Sequence, residues 1–290
     1  MITNIKNLSN GLGFHDIIAP VDDMPSTPEM KKIISDYEQS HPILEKIKYI
    51  PHIKLKVPEF DLDRALNEIN QFYMADDFDR LDLRGIPESE GGKKYHWTAP
   101  HPTWGTKALI NYTPSSIGTW GKDDREIACK NFPNLQPHAV NVIGRKLLLS
   151  DMMFYKTDIW DKLPYITSYI TENICNVENL KRTHIFRLKP SGVLNFHNHR
   201  LLPWEDCASP FDEGIVHIPL ITNPSAKMCV QINDTDDVDV QHYAAGECWL
   251  FNSYLNHAVD CSDNSDARIH LTIMCDFGDE KFVDLIERSM

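Results

Sequence analysis

Thr183-His-Ile-Phe-Arg-Leu-Lys-Pro-Ser-Gly-Val-Leu-Asn-Phe-His197 decides how the rest of the chain reads. Upstream of it, helical periodicity alternates with irregular stretches. From Thr183 onward the sequence becomes short apolar runs separated by Gly, Pro, Asn and Asp. The candidate strands are 184–188, 193–197, 215–221, 228–232, 247–251 and 268–275. Short strands with turn signals between them predict a sandwich or barrel. The gaps hold no helix-length periodic segment, which disfavours a parallel α/β sheet. The expected fold is mainly β with flanking helices, built on a double-stranded β-helix: a jelly-roll, cupin-like core at about 183–277.

Working outward, residues 1–50 read as an N-terminal extension and 51–290 as one domain. Ser26 or Thr27 can cap a helix over about 28–40. Residues 51–57 alternate apolar and charged side chains, which predicts a strand with one wet face. Asp61 then starts a helix with Leu62, Ala65, Leu66, Ile69 and Phe72 at helical spacing. Residues 84–140 are rich in Pro, Gly, His and Trp, and carry Trp97, Trp104 and Trp120. A long irregular segment in a compact domain is commonly functional, and its aromatic density argues against disorder. Residues 158–180 read as helix, with Pro164 at or near its start. The acidic run at 234–239 reads as a solvated hairpin loop.

Composition narrows the classes of function. The chain has 290 residues and a net charge of −13, from 42 acidic against 29 basic residues. Binding to nucleic acid needs a basic surface, so no nucleic-acid partner is expected. No stretch reaches the roughly 18 apolar residues of a membrane helix, so no membrane partner is expected either. The first residues, Met-Ile-Thr-Asn-Ile-Lys, hold no apolar signal-peptide core. Seven scattered cysteines without a CxxC pair suggest free thiols and a cytoplasmic location. Nucleotide-binding GxGxxG and GxxxxGK, hydrolase GxSxG and zinc-protease HExxH motifs are all missing from the sequence.

The chemistry-bearing residues cluster in the strand-rich half. In a regular strand Val193, Asn195, His197 and His199 share one face. Imidazoles at i and i+2 can hold one metal, and neutral imidazole suits iron, copper and zinc. His257 follows the candidate strand 247–251 in a turn. Arg268 opens the last candidate strand, with His270 and Thr272 on the same face. Two histidines and a third ligand on one face leave iron positions open for a bidentate keto acid and oxygen. An arginine then suits the far carboxylate of that keto acid, because its guanidinium is a fixed bidentate donor.

Residues 182–276 resemble the catalytic core of the aspartyl/asparaginyl β-hydroxylase family of Fe(II)/2-oxoglutarate-dependent oxygenases, which includes bacterial proline hydroxylases. The matching pieces occur in order. They are Arg187-Leu-Lys-Pro-Ser-Gly192, Phe196-His197, Val216-His-Ile-Pro-Leu220, Ala245-Gly-Glu-Cys-Trp-Leu-Phe-Asn252 with His257-Ala-Val, and Arg268-Ile-His-Leu-Thr-Ile with Asp276. The resemblance implies that His197 and His257 are metal ligands. It also implies that Arg268 binds the distal carboxylate of 2-oxoglutarate and that His217 contacts the same cosubstrate. Two positions depart from the family pattern. Ile215 stands where an arginine usually precedes the His-Ile-Pro-Leu histidine. His199 stands at the third-ligand position, which leaves open a three-histidine site or a two-histidine site with water.

The function so implied is hydroxylation of a C–H bond in a small polar substrate, a free amino acid or derivative, with molecular oxygen, Fe(II) and 2-oxoglutarate. Two alternatives stand beside it. One is a three-histidine, cupin-type metal oxygenase that needs no keto acid. The other is a non-catalytic jelly-roll binding protein.

Overall fold

The computed structural model describes residues 1–8, 35–36, 38–70, 104–111, 154–188, 190–197, 214–232, 235–253, 255–263 and 266–290, with the backbone alone at 6, 104–106, 111 and 197. The strands are β1 (Ile2–Asn4), β2 (His52–Lys54), β3 (Trp104–Asn111), β4 (Tyr155–Lys156), β5 (Leu180–Leu188), β6 (Val193–His197), β7 (Gly214–Ile221), β8 (Lys227–Gln231), β9 (Asp237–Gln241), β10 (Trp249–Phe251), β11 (His257–Asp260) and β12 (Arg268–Cys275). The helices are α1 (Ile43–Ile47), α2 (Leu62–Asn70), α3 (Pro164–Asn173) and α4 (Glu280–Ser289).

Two antiparallel sheets carry the fold, in the orders β1-β9-β8-β11-β6 and β2-β10-β7-β12-β5-β3-β4. From β5 onward the chain alternates between them, except at the β8–β9 hairpin. Strands β5, β7, β10 and β12 lie in the larger sheet, and β6, β8, β9 and β11 in the smaller. An eight-stranded, two-sheet antiparallel wrap of this order is a jelly roll. The expected fold class is therefore the observed one. Strands β1, β2, β3 and β4 extend the sheets beyond the eight.

Strand alternation divides the apolar residues between two cores. Val216, Ile218 and Leu220 of β7 and Leu271, Ile273 and Cys275 of β12 face outward. They pack against α1 to α4 through residues such as Ile43, Ile69, Ile166, Ile170, Phe282 and Leu285. Leu188, Ile215, Met228, Val230, Tyr243, Phe251 and Val259 form a second cluster between the sheets, with Phe186, Leu194, Trp249 and Met274 against it.

The helices are fixed by local chemistry that matches their sequences. Asp61 precedes α2 and its Oδ1 accepts from Arg64 N at 3.0 Å, while Ala65 and Ile69 are buried. Pro164 occupies the first turn of α3, where its missing N–H has no helical partner to lose. Asp279 caps α4: Oδ1 accepts from Phe282 N at 2.8 Å. Its Oδ2 accepts from Asn176 N at 3.0 Å and Asn179 Nδ2 at 2.8 Å. This fully buried carboxylate ties α4 to the segment leading into β5.

Two irregularities shape the site. The β6–β11 pairing shifts register between His257 and Val259. Consequently Leu194 packs in the inner cluster, whereas Phe196, two residues on, packs in an outer cluster with Cys229, Val238 and Ala258. Strict alternation places Leu194 and Phe196 on one face; the bulge separates them. The second irregularity is on β12, whose pairing with β7 shifts between Ile269 and His270, opposite Pro219. Proline has no N–H to give to the ladder, so a central strand accommodates it at such a break.

Candidate functional site

The inner face of the larger sheet is polar where a barrel interior is ordinarily apolar. On β12, Arg268, His270 and Thr272 alternate with the outward-packed Leu271 and Ile273 and so face inward. Thr272 pairs with His184 of β5 on one side and His217 of β7 on the other. His270 pairs with Phe186 and Pro219, and Arg268 with Leu188. His184, His217, His270, Arg268 and Thr272 are all buried.

Aromatic rings wall this patch. His217 meets the Phe251 ring at 5.0 Å between centroids, in edge geometry. Tyr243 stacks on Trp249 at 4.7 Å with the planes 6° apart. Glu247 holds that stack in place: Oε2 accepts from Trp249 Nε1 at 2.9 Å and from Ala244 N at 3.0 Å, and Lys54 pairs with the same carboxylate.

The protonation of the wall can be assigned from its partners. His52 Nε2 lies 3.3 Å from the Asp239 carbonyl oxygen, which only accepts, so Nε2 carries the proton. Burial lowers the His52 pKa to about 4, so its Nδ1 is a lone pair at neutral pH. The Tyr243 hydroxyl, 2.6 Å from that Nδ1, therefore donates to it. Burial pushes the Tyr243 phenol well above its ordinary value, so the proton stays there. Burial likewise holds His184 and His270 well below the ordinary histidine value, with the Arg182 and Arg268 charges respectively acting in the same direction. Both are neutral imidazoles. His270 Nδ1 lies 3.2 Å from His217 Nδ1, so one of the two donates to the other.

Arg268 is the anomaly. Its side chain is 3% exposed, yet Nη1 has no hydrogen-bond partner, and among the described residues no carboxylate pairs with it. Burial lowers its pKa to about 10. A buried guanidinium without an anion is among the costliest arrangements in a protein, and natural interiors supply the anion from somewhere. His270 Nε2 and His184 Nδ1 are buried without partners on the same face. Three orphaned polar groups on one inner wall describe a site built for a polar ligand.

His257 faces this wall from the smaller sheet. It is not in a turn, where its sequence neighbourhood suggests, but is the first residue of β11. It pairs with Val230 of β8 on one side and with His197 of β6 on the other. Its buried Nδ1 donates to the Leu255 carbonyl at 2.9 Å, because a carbonyl can only accept. In the neutral imidazole Nε2 is then the lone-pair nitrogen, the form in which imidazole binds a metal.

The expected site residues thus separate into three groups. Arg268 and His217 lie on the inner face of the larger sheet. His257 and His197 are cross-strand partners in the smaller one. His199 lies outside the described residues, as do the 84–103 and 112–140 parts of the irregular segment and the 200–213 insertion. Among the described residues no three His, Cys, Asp or Glu side chains form a metal-binding group. The side chain of His197 and all of His199 are not among those residues. The sequence places His270 on the face of Arg268 but does not single out His184, Tyr243 or His52. Inward alternation with Phe186 and Leu188 was the signal available for His184.

No protein-family model and no curated protein sequence matches the chain. Solved structures do resemble it in fold. A 2OG-Fe(II) oxygenase-family oxidoreductase from Burkholderia pseudomallei aligns over 84% of this chain and 90% of its own, at 11% identity and a TM-score of 0.35. A prolyl-4-hydroxylase from Pseudomonas putida aligns over 81% and 97%, at 10% identity and a TM-score of 0.36. A cupin domain from Bordetella pertussis covers 34% of this chain and 84% of its own, at 13% identity and a TM-score of 0.24. These are likenesses of fold and assign no residue a role. Among the described residues no helix is long and apolar enough to cross a membrane.

Proposed function

We propose that the chain is an Fe(II)- and 2-oxoglutarate-dependent oxygenase that hydroxylates a C–H bond of a small polar, amino-acid-like substrate, akin to the aspartyl/asparaginyl β-hydroxylases. The observation that carries this reading is Arg268: a buried, uncompensated guanidinium inside a jelly roll, opposite the sheet that carries the His257–His197 pair. The orphaned guanidinium of Arg268 fits the cosubstrate, and His257 offers iron one imidazole. The distal carboxylate of 2-oxoglutarate supplies the anion that Arg268 lacks, with His217 as a further contact to the cosubstrate. His257, through Nε2, and His197 would hold the iron, with His199 as the third ligand. Iron with the keto acid supplies the oxygen activation that no side chain provides.

The protein's own contribution is positional. Arg268 fixes the cosubstrate by a bidentate, charge-assisted contact. The Leu255 carbonyl fixes the tautomer and orientation of His257. Phe251, Tyr243 and Trp249 exclude water from the wall between them, which strengthens each polar contact inside. In a three-histidine oxygenase without a keto acid, Arg268 would be paired by the substrate's own carboxylate, so binding of 2-oxoglutarate separates the two readings. Calorimetric titration of 2-oxoglutarate into the Fe(II)-loaded protein under anaerobic conditions tests the reading. Binding to the wild type that is lost in Arg268→Ala is expected; no binding to the wild type contradicts it.

A further inference from the structure

The inner wall has one more group whose state demands a ligand. His270 is fully buried, its Nε2 has no partner, and it stands two residues from Arg268 on the same face of β12. Its other nitrogen is committed to His217 Nδ1 at 3.2 Å. Only two arrangements satisfy that contact. If His270 donates from Nδ1, its Nε2 is a bare lone pair, and the ligand beside Arg268 must bring a donor. If His217 donates, His270 carries its proton on Nε2, and the orphaned groups of Arg268 and His270 are both donors. A single carboxylate, with about four lone-pair directions, satisfies two donors at once. A lone pair beside a guanidinium asks for a ligand that is anion and donor together, which a keto acid's far carboxylate is not.

We propose that His270 is a second anchor of the carboxylate held by Arg268, donating Nε2–H to it, with the tautomer fixed by His217 Nδ1–H. The inference rests on the reading of Arg268 as the anchor of 2-oxoglutarate. In this arrangement His217 acts on the carboxylate through His270, as a positioning residue, in place of the direct contact that the resemblance implies. It also accounts for a neutral histidine at a position that must not repel the guanidinium: a charged imidazolium there would add a second unpaired buried cation.

The test compares equilibrium binding of 2-oxoglutarate to the anaerobic, Fe(II)-loaded wild type, His270→Leu and His270→Gln. The leucine variant removes the donor and keeps the volume; the glutamine amide restores an N–H. The dissociation constant is expected to rise about tenfold or more in His270→Leu, the loss of one hydrogen bond to a charged group, and to return most of the way in His270→Gln. Wild-type binding that His270→Leu leaves unchanged overturns the role of His270 and spares the keto-acid reading. Absence of binding to the wild type overturns the keto-acid reading itself, and this inference with it. A second measurement needs no variant. In 15N-histidine-labelled wild type, His270 Nε2 is expected to be protonated and to shift when 2-oxoglutarate is added. A lone-pair Nε2 in the complex overturns the proposal.

Discussion

His257, the first residue of β11, stands directly opposite His197, the last residue of β6. Directly paired residues in an antiparallel ladder have Cβ atoms roughly 4.5–5.5 Å apart and project to the same face. Sixty positions of sequence separation therefore close into a cross-strand pair. A register shift immediately after His257 ends the regular ladder there. Bulges of this kind re-aim side chains beside functional sites.

Arg268 sets a stability prediction of unusual sign. Burial lowers its pKa to about 10, well below the ordinary guanidinium value. At about 1.4 kcal/mol per pH unit, that is on the order of 3 kcal/mol of burial cost. The cost is fully present below pH 10 and is relieved as pH rises above it, because the unfolded chain then holds the proton more tightly. Arg268→Met removes the charge and keeps most of the volume. It is expected to raise the Tm of the ligand-free protein by a few degrees and to abolish the rise in Tm that 2-oxoglutarate gives the wild type. Differential scanning calorimetry with and without 2-oxoglutarate reads both. A ligand-free variant less stable than the wild type would contradict an uncompensated charge.

His52 governs part of the acid sensitivity. Its folded pKa of about 4 lies below the ordinary 6.5 because burial disfavours the cation. A depressed histidine contributes stability that is complete above pH 6.5 and is lost as pH falls through 4, since the unfolded chain takes up the proton first. The difference is on the order of 3 kcal/mol. The pH profile of denaturant-unfolding free energy should fall less steeply between pH 6.5 and 4 in His52→Gln than in the wild type. Parallel profiles would show that burial does not hold the His52 imidazole neutral.

Gly214 fixes how β7 meets α4. A Cβ there would lie 2.5 Å from the Phe282 ring and 3.2 Å from Phe277 Cζ. Phe282 is fully buried, so the ring has no room to retreat. Gly214→Ala is expected to destabilise the fold by about 1–3 kcal/mol. Urea unfolding measures it. A loss under about 0.5 kcal/mol, the scale of a surface change, would mean that α4 is loosely docked.

Much of this architecture is legible in the sequence, for physical reasons that differ between elements. Strands β6 and β12 begin and end where alternation and turn residues place them, and β7 and β8 differ by single residues. Strands β1, β3 and β4, which extend the sheets, were not legible, and neither were β9 and β11. Asp237-Val-Asp-Val-Gln241 reads as part of an acidic loop, yet pairs with β8 as β9; its alternation is genuine, and the density of charge masks it. His257-Ala-Val-Asp260 is too short for alternation to register, and only its pairing on both sides makes it β11. The face of Leu194 was not legible either, because a bulge belongs to a pair of strands and not to one of them. At the site, the inward face of Arg268, His270 and Thr272 follows from alternation alone. The orphaned Nη1 and Nε2 do not, because a missing partner is a property of the packed interior.

The most direct test of the account is an anaerobic titration with Fe(II) and then 2-oxoglutarate, followed by visible absorption. The wild type is predicted to develop the charge-transfer band of an iron–keto acid chelate. That band should be lost in His257→Ala, which removes an imidazole ligand, and should be much weaker in Arg268→Ala, which removes the cosubstrate anchor. A wild type that develops no band, or a His257→Ala variant that develops it in full, would contradict the account.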